Sequence, residues 1–308
     1  MLANGKLEVQ GTRLRAPYPA YASRLRRDVR LISVAHSANS EYTFTSFANL
    51  DFYRKVNARL LDLAEVGKNK RIVDLGCGTG AVTRLMLERL ESARQTVIYA
   101  IDHSATAIRQ AIAELGDRKN AVVNFIQAEV QNLRTAVREQ VDSIVYCNSI
   151  HYVPDKGKLL DEVRDSLRPG GTLAFNTTFF EGSNPPESEA FYRRWMMRSL
   201  RILVKEHGLR PGKAEKTEAR RQLSAEGYAN LLREHGFDIE KAEVVPVEFP
   251  LEGYLDISEF KDFIEGTFPG VPLDKASDSL KRGARQAFED LNITFVPRNW
   301  LNVVAVRA

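Results

Sequence analysis

Residues 71–90 read RIVDLGCGTGAVTRLMLERL. Arg71 to Leu75 is a short, β-branched apolar run, the pattern of a buried parallel strand. Gly76, Gly78 and Gly80 alternate through a tight turn. After them Val82, Leu85, Met86 and Leu90 recur at helical spacing. Strand, glycine turn and helix make a nucleotide-binding βα unit. Its glycines admit a ligand close to the backbone, and its helix N-terminus offers free N–H groups.

The glycines alone leave the nucleotide open, because Gly76-x-Gly78-x-x-Ala81 also fits a dinucleotide fingerprint. Asp74 separates the readings. A carboxylate two residues before the first glycine opposes a pyrophosphate and suits a cation, such as the ammonium or sulfonium of S-adenosylmethionine. The stretch resembles the first motif of the class I S-adenosylmethionine-dependent methyltransferases. That resemblance implies a doubly wound, mostly parallel seven-stranded α/β sheet of Rossmann-like type.

Further segments fall in the order the resemblance expects. A strand over Thr96–Ile101 ends at Asp102, some twenty residues past the turn, where such folds place an acid for ribose hydroxyls. Ser104 competes with Asp102 as the cap of the helix that follows. Val122–Ile126 is a third strand leading into Gln127-Ala128-Glu129, the turn that touches adenine in the family. Family members often carry Asp where this chain has Gln127. A fourth strand, Val141–Cys147, runs into Asn148-Ser149-Ile150-His151-Tyr152. A helix over Lys156–Leu167, a Pro169-Gly170-Gly171 stop and a fifth strand, Thr172–Thr177, complete the matched region.

By resemblance, Asp74, Gly76, Gly78, Gly80, Asp102, His103, Gln127, Ala128, Glu129 and Asn148 are the cofactor-side residues. His151 is the catalytic candidate, as base or as positioning group. Tyr42, Phe44, Tyr152 and Trp195 are candidates for the acceptor side. Asp102→Ala is expected to weaken cofactor binding with little effect on folding. The five histidines show no ligand spacing and the two cysteines no CxxC, so no metal site is expected.

Around this core the organisation reads as a basic arm over 1–40 and a core over 41–249, with a cap helix inserted at 179–223. A helical cap insertion at 250–297 and a last core strand at 298–308 complete it. A helical stripe spans Tyr42–Leu63. Phe191 to Leu203 is an aromatic helix flanked by arginines, and Phe237–Phe249 is a sixth strand. Helices are expected at Ile257–Thr267 and Ala276–Asn292, and a last strand at Trp300–Arg307. Asn184-Pro185-Pro186 looks like the motif of amino-methylating enzymes, but it follows the fifth strand and ends in Glu187, so it is set aside.

The 308 residues carry a net charge of +4, 44% hydrophobic and 27% charged, ordinary for a globular protein. No apolar run approaches the ~20 residues of a membrane span, and no secretory h-region is present at the N-terminus. Two cysteines make no disulfide framework, and a cytoplasmic setting is expected. The expected activity is methyl transfer from S-adenosylmethionine to a small or medium-sized, partly apolar organic acceptor, at oxygen or carbon. RNA or protein methylation and a non-catalytic cofactor-binding role are the alternatives. A small-molecule partner is expected rather than nucleic acid, and a homodimer is left open.

Overall fold

β1 (Arg71–Leu75) is buried at every position after the first, and β4 (Val141–Cys147) at all seven, as strands covered on both faces must be. They lie at the centre of a seven-stranded sheet with β2 (Val97–Asp102), β3 (Val122–Gln127), β5 (Leu167–Thr177), β6 (Phe237–Pro250) and β7 (Phe295–Arg307). The order is β3-β2-β1-β4-β5-β7-β6, parallel except for β7, which is antiparallel to both neighbours. The order reverses at β1 and β4, so the crevice for a ligand opens at their carboxyl ends. This computed structural model describes residues 43–90, 95–116, 122–212 and 222–308; the basic arm and Tyr42 lie outside the described residues.

The helices are α1 (Thr45–Ala48), α2 (Asp51–Leu63), α3 (Ala81–Leu87), α4 (Ala105–Leu115), α5 (Leu133–Ala136), α6 (Lys156–Ser166), α7 (Glu189–His207), α8 (Ala225–Glu234), α9 (Leu251–Ile257), α10 (Lys261–Thr267) and α11 (Leu273–Leu291). Alternation along β1 separates two cores. Val73 and Leu75 join Leu159, Leu160 and Val163 of α6 on one face. Ile72 joins Leu60 of α2, Leu85 of α3 and Ile108 of α4 on the other. A third cluster unites Phe191 and Trp195 of α7, Tyr254 of α9 and Phe288 of α11 with Trp300 of β7. Helix α2 serves two cores, with Tyr53 and Val56 in the third cluster and Leu60 and Leu61 in the second.

The described part of the Tyr42–Leu63 stripe forms two helices. Asn49 ends the first, its Nδ2 donating to the Thr45 carbonyl at 2.9 Å, and Leu50 is extended. The helix expected at 257–267 begins later, at Lys261, because Ile257 ends a separate helix, α9, where the Ser258 hydroxyl donates back to the Tyr254 carbonyl. The last strand begins five residues earlier than its sequence suggests. Pro297 reads as a break, but β5 pairs only with residues 301–306, so residues 295–300 overhang and pair with β6 alone. A proline is tolerated where one side of the strand has no partner.

Helices α7 and α11 run antiparallel at close range. Trp195 Nε1 donates to the Leu280 carbonyl at 2.8 Å, Arg194 and Arg198 hold Asp290, and Arg282 holds Glu206. At the crossing, a Cβ on Gly283 would stand 2.8 Å from Ser199 N and 3.0 Å from its Cα. Backbone cannot step aside as a side-chain tip can. Gly283→Ala is therefore expected to destabilise by about 1–3 kcal/mol, overriding the helix-propensity gain of about 1 kcal/mol. A thermal melt checks this, and an unchanged or raised melting temperature would contradict the packing account.

Candidate active site

The glycine turn is built as its sequence requires. Gly76, Gly78 and Gly80 all have positive φ, +68°, +53° and +89°, where a side chain is strained. Gly80 also has no room, since a Cβ would meet Leu115 Cδ1 at 2.7 Å. At Gly78 a Cβ would meet nothing within 4 Å, so the turn opens onto free space at the carboxyl end of β1.

Asp102 ends β2 beside that space and is 8% exposed. Its Oδ2 accepts from Gly78 N at 2.9 Å and its Oδ1 from Ser104 N at 2.8 Å. Ser104 is the helix cap, its hydroxyl accepting from Ala107 N at 3.2 Å. Asp102 thus joins the glycine turn to the next strand while retaining acceptor capacity. Because it holds two backbone N–H groups, its removal bears on local structure as well as on ligand, contrary to the expectation of little effect on folding. His103 is exposed next to it, Nδ1 3.4 Å from Asp102 Oδ1. Gln127 pairs with Asp102 across β2–β3 and donates from Nε2 to the His103 carbonyl at 3.2 Å. Ala128 N donates to the Asp102 carbonyl, and Glu129 is exposed just beyond.

Asp74 is 1% exposed and accepts from the Thr83 hydroxyl, bracing β1 against α3. No cation among the described residues pairs with it. Burial foremost, with repulsion from Asp102 added, pushes its carboxyl up to about 7 against the bond from Thr83. An open turn, a carboxylate at the end of β2 with acceptor capacity to spare and a buried acid with no cation beside it among the described residues fit S-adenosylmethionine. Burial also pushes the Cys77 and Cys147 thiols up, keeping both protonated.

Asn148 follows β4 in the left-handed region, φ 48°. Its N donates to both the carbonyl and the Oδ1 of Asn176, at 2.9 Å each, and its Oδ1 accepts from Thr178 N at 3.2 Å. Asn176 in turn donates to Asn57 Oδ1 of α2 at 2.9 Å. This buried amide chain fixes Asn148 and leaves its Nδ2 without a partner among the described residues.

Asn148 is also on the wall of a cavity of about 240 Å³ between the sheet and the cap helices. Its wall is largely apolar, with Phe179, Trp195, Phe249 and Phe263 among its residues. Of the acceptor-side candidates, Trp195 lines this cavity. Phe44 instead packs against Phe47, Tyr53 and Phe260, and Tyr152 is 47% exposed. His151 lies just behind the wall, its ring 4.1 Å from that of Phe179. The Thr177 hydroxyl meets its Nδ1 at 3.2 Å, while its Nε2 has no partner among the described residues. Burial, then the charges of Lys156 and Arg298, push its pKa down to about 3, so the imidazole is neutral.

The sequence reading missed Arg298, Asn184 and Tyr254 on this wall. Arg298 stands on the β7 overhang. Its Nε donates to Thr178 Oγ1 at 2.5 Å, Nη1 to Tyr192 OH at 2.8 Å and Nη2 to the Thr178 carbonyl at 3.0 Å. Its guanidinium lies 5.3, 5.8 and 5.9 Å from the ring centres of Phe179, Tyr192 and Phe249. The sequence reading put it at the start of the last core strand, 298–308, and gave it no role. Among the described residues no cluster of metal-ligating side chains is present, and no helix is long and apolar enough to cross a membrane.

Comparison with known proteins gives this geometry a family. Residues 73–173 match the family described as a methyltransferase domain. The trans-aconitate 2-methyltransferase of Pseudomonas aeruginosa is 28% identical over 258 residues, 78% of this chain and 79% of its own length. That of Streptomyces avermitilis is 38% identical over 106 residues, 34% of this chain and 38% of its own. The chain spans well under half the length of several of the curated relatives it matches. Among solved structures, a cyclopropane synthase of Mycobacterium tuberculosis shares the fold at TM-score 0.52 and 12% identity, with 90% of each chain covered. The matched domain, the glycine turn and the sheet order together establish that the chain carries a class I S-adenosylmethionine-dependent methyltransferase domain.

Proposed function

We propose that the chain transfers a methyl group from S-adenosylmethionine to a small or medium-sized, partly apolar organic acceptor, at oxygen or carbon. The observation that carries this reading is the 240 Å³ aromatic cavity, which begins at Asn148 on the donor side and ends under the cap. Its size and walls suit a small organic molecule better than a polymer. The trans-aconitate 2-methyltransferases among its relatives, small-molecule enzymes by name, support the same class.

When bound, S-adenosylmethionine supplies a methyl group already activated on a sulfonium. The protein's task is to orient and to exclude water. Gly76, Gly78 and Gly80 would admit the donor to the turn, with Asp74 as the anion for its cationic end. Asp102 and His103 would hold the ribose, Gln127, Ala128 and Glu129 the adenine, and Asn148 the methionine end. Trp195 and its aromatic neighbours keep the acceptor dry.

His151 serves as a positioning group in this reading. The Thr177 hydroxyl already accepts from Phe179 N at 3.0 Å, so its own proton is free for Nδ1. Nε2 then carries the imidazole proton, and the ring, packed 4.1 Å from that of Phe179, sets the position of that wall residue. A base with pKa about 3 would be far from matched to a hydroxyl. His151→Ala is expected to lower kcat/KM about tenfold, and His151→Gln to recover part of it. No limb from this residue is expected between pH 5 and 8. A limb in that window that disappears in the variants would make His151 the base.

The reading itself is tested with S-adenosylmethionine labelled on the methyl group, incubated with the protein and a cell extract. Label is expected in the small-molecule fraction that passes into organic solvent once the mixture is acidified. Label confined to RNA or protein would overturn it.

A further inference from the structure

We propose that Arg298 anchors a carboxylate carried by the acceptor, and that this carboxylate is not the group methylated. The proposal rests on the methyl-transfer reading above and goes on to the acceptor's chemical class. Arg298 is the one charged residue on the cavity wall among the described residues. Its three hydrogen bonds all go to neutral oxygens, two from Thr178 and one from Tyr192. No carboxylate among the described residues forms an ion pair with it. Placing a cation in a largely apolar cavity without an anion is costly, and the surrounding ring faces offset only part of that cost.

A guanidinium has five N–H donors. Three are engaged, leaving one on each terminal nitrogen. A planar, singly charged carboxylate matches that remainder in geometry and in charge. A phosphate monoester, at about −1.5 to −2, would be left undercompensated on a wall with a single cation. Thr178 and Tyr192 fix the guanidinium plane before any ligand arrives, which lowers the cost of ordering it.

The position of Arg298 assigns the role. The carboxylate oxygens held by a guanidinium lose nucleophilicity to those hydrogen bonds. Asn148, the wall residue at the donor side, belongs to the end of β4, whereas Arg298 belongs to the β7 overhang. The acceptor therefore spans the cavity, its charged end at Arg298 and its reacting atom toward Asn148. The product keeps its negative charge.

The test uses the full chain and two variants, Arg298→Met and Arg298→Lys. Titration with S-adenosylhomocysteine comes first. Affinity within about twofold of wild type is expected in both variants, because the donor side does not include Arg298. With that ligand saturating, benzoate, trans-cinnamate, 4-phenylbutyrate and octanoate are each titrated against their primary amides. At least one acid is expected to bind wild type about tenfold or more tighter than its amide. That preference should fall to about one in Arg298→Met and to an intermediate value in Arg298→Lys, where charge remains but the fork is gone. If Arg298→Met melts below the assay temperature, the drop in Arg298→Lys carries the same test. No acid preferred over its amide, or a preference that survives both substitutions, overturns the proposal while leaving methyl transfer intact. Failure of wild type to bind S-adenosylhomocysteine strikes the methyl-transfer reading instead.

Discussion

Asp74→Asn is expected to raise the melting temperature at pH 8 while weakening the cofactor. Asp74 is 1% exposed, and burial pushes its folded pKa up to about 7 from an ordinary 3.8. Between those values the folded chain holds a proton that the unfolded chain has released. Stability from this group is therefore complete below pH 3.8 and lost as pH rises through 7. At pH 8 the full cost of the buried charge is present, on the order of 4 kcal/mol from a shift of about three units. Asn keeps an oxygen for Thr83 and carries no charge, so it escapes that cost. The stabilisation should be several degrees at pH 8 and vanish near pH 4.

His151 has the opposite linkage. Its folded pKa of about 3 means the unfolded chain binds the extra proton, so its contribution is complete above pH 6.5 and lost as pH falls toward 3. It is common to both proteins and cancels in the difference of melting temperatures. With saturating S-adenosylhomocysteine the order should narrow or reverse, since the ligand's ammonium compensates the carboxylate of the wild type and gains nothing from the neutral amide of the variant. A difference between the two proteins that does not change with pH would show that Asp74 is not the ionising group.

Asp102→Ala is expected to weaken S-adenosylhomocysteine binding about a hundredfold or more. Two ribose hydroxyls donating to a carboxylate are worth about 1.5–3 kcal/mol each, and Ala removes both. The same substitution releases Gly78 N and Ser104 N, so a loss of about 1–3 kcal/mol of stability should accompany it. Asp102→Asn separates the two effects. It retains one acceptor oxygen for the backbone and is expected to fold closer to wild type while still binding weakly. Calorimetric titration at a temperature where all three proteins are folded checks both. Unchanged affinity in the Ala variant would remove Asp102 from the ribose.

What was legible in the sequence follows how local the determinants are. The glycine turn, Asp102 and Asn148 are each fixed by the strand that precedes them, and that strand announces itself by β-branched residues. The cap's long helices showed their apolar stripes, so α7 was readable. Their partners were not. Trp195 meets Leu280 and Ser199 meets Gly283 across more than eighty residues, a pairing no local pattern encodes. Asn176 looked like an ordinary strand residue because its role depends on Asn57, 119 positions away. Arg298 read as the start of the last core strand with no role, because Pro297 before it signals a break unless the strand is known to lack a neighbour there.

With Arg298 as the proposed anchor, that overhang makes the β6–β7 pair a ruler for the acceptor. Arg298 sits opposite Val247, and the ladder runs on to Phe295 opposite Pro250 with β5 no longer beside it. Each residue of strand carries the arginine roughly 3 Å along, and side chains alternate between faces. Removing two residues from each strand between Arg298 and the sheet would therefore keep the guanidinium on its own face and draw it inward. Acceptor length can thus be changed in steps of roughly 7 Å by trimming or extending the two strands together in twos. Such steps leave the donor half of the chain, from Arg71 to Glu129, untouched.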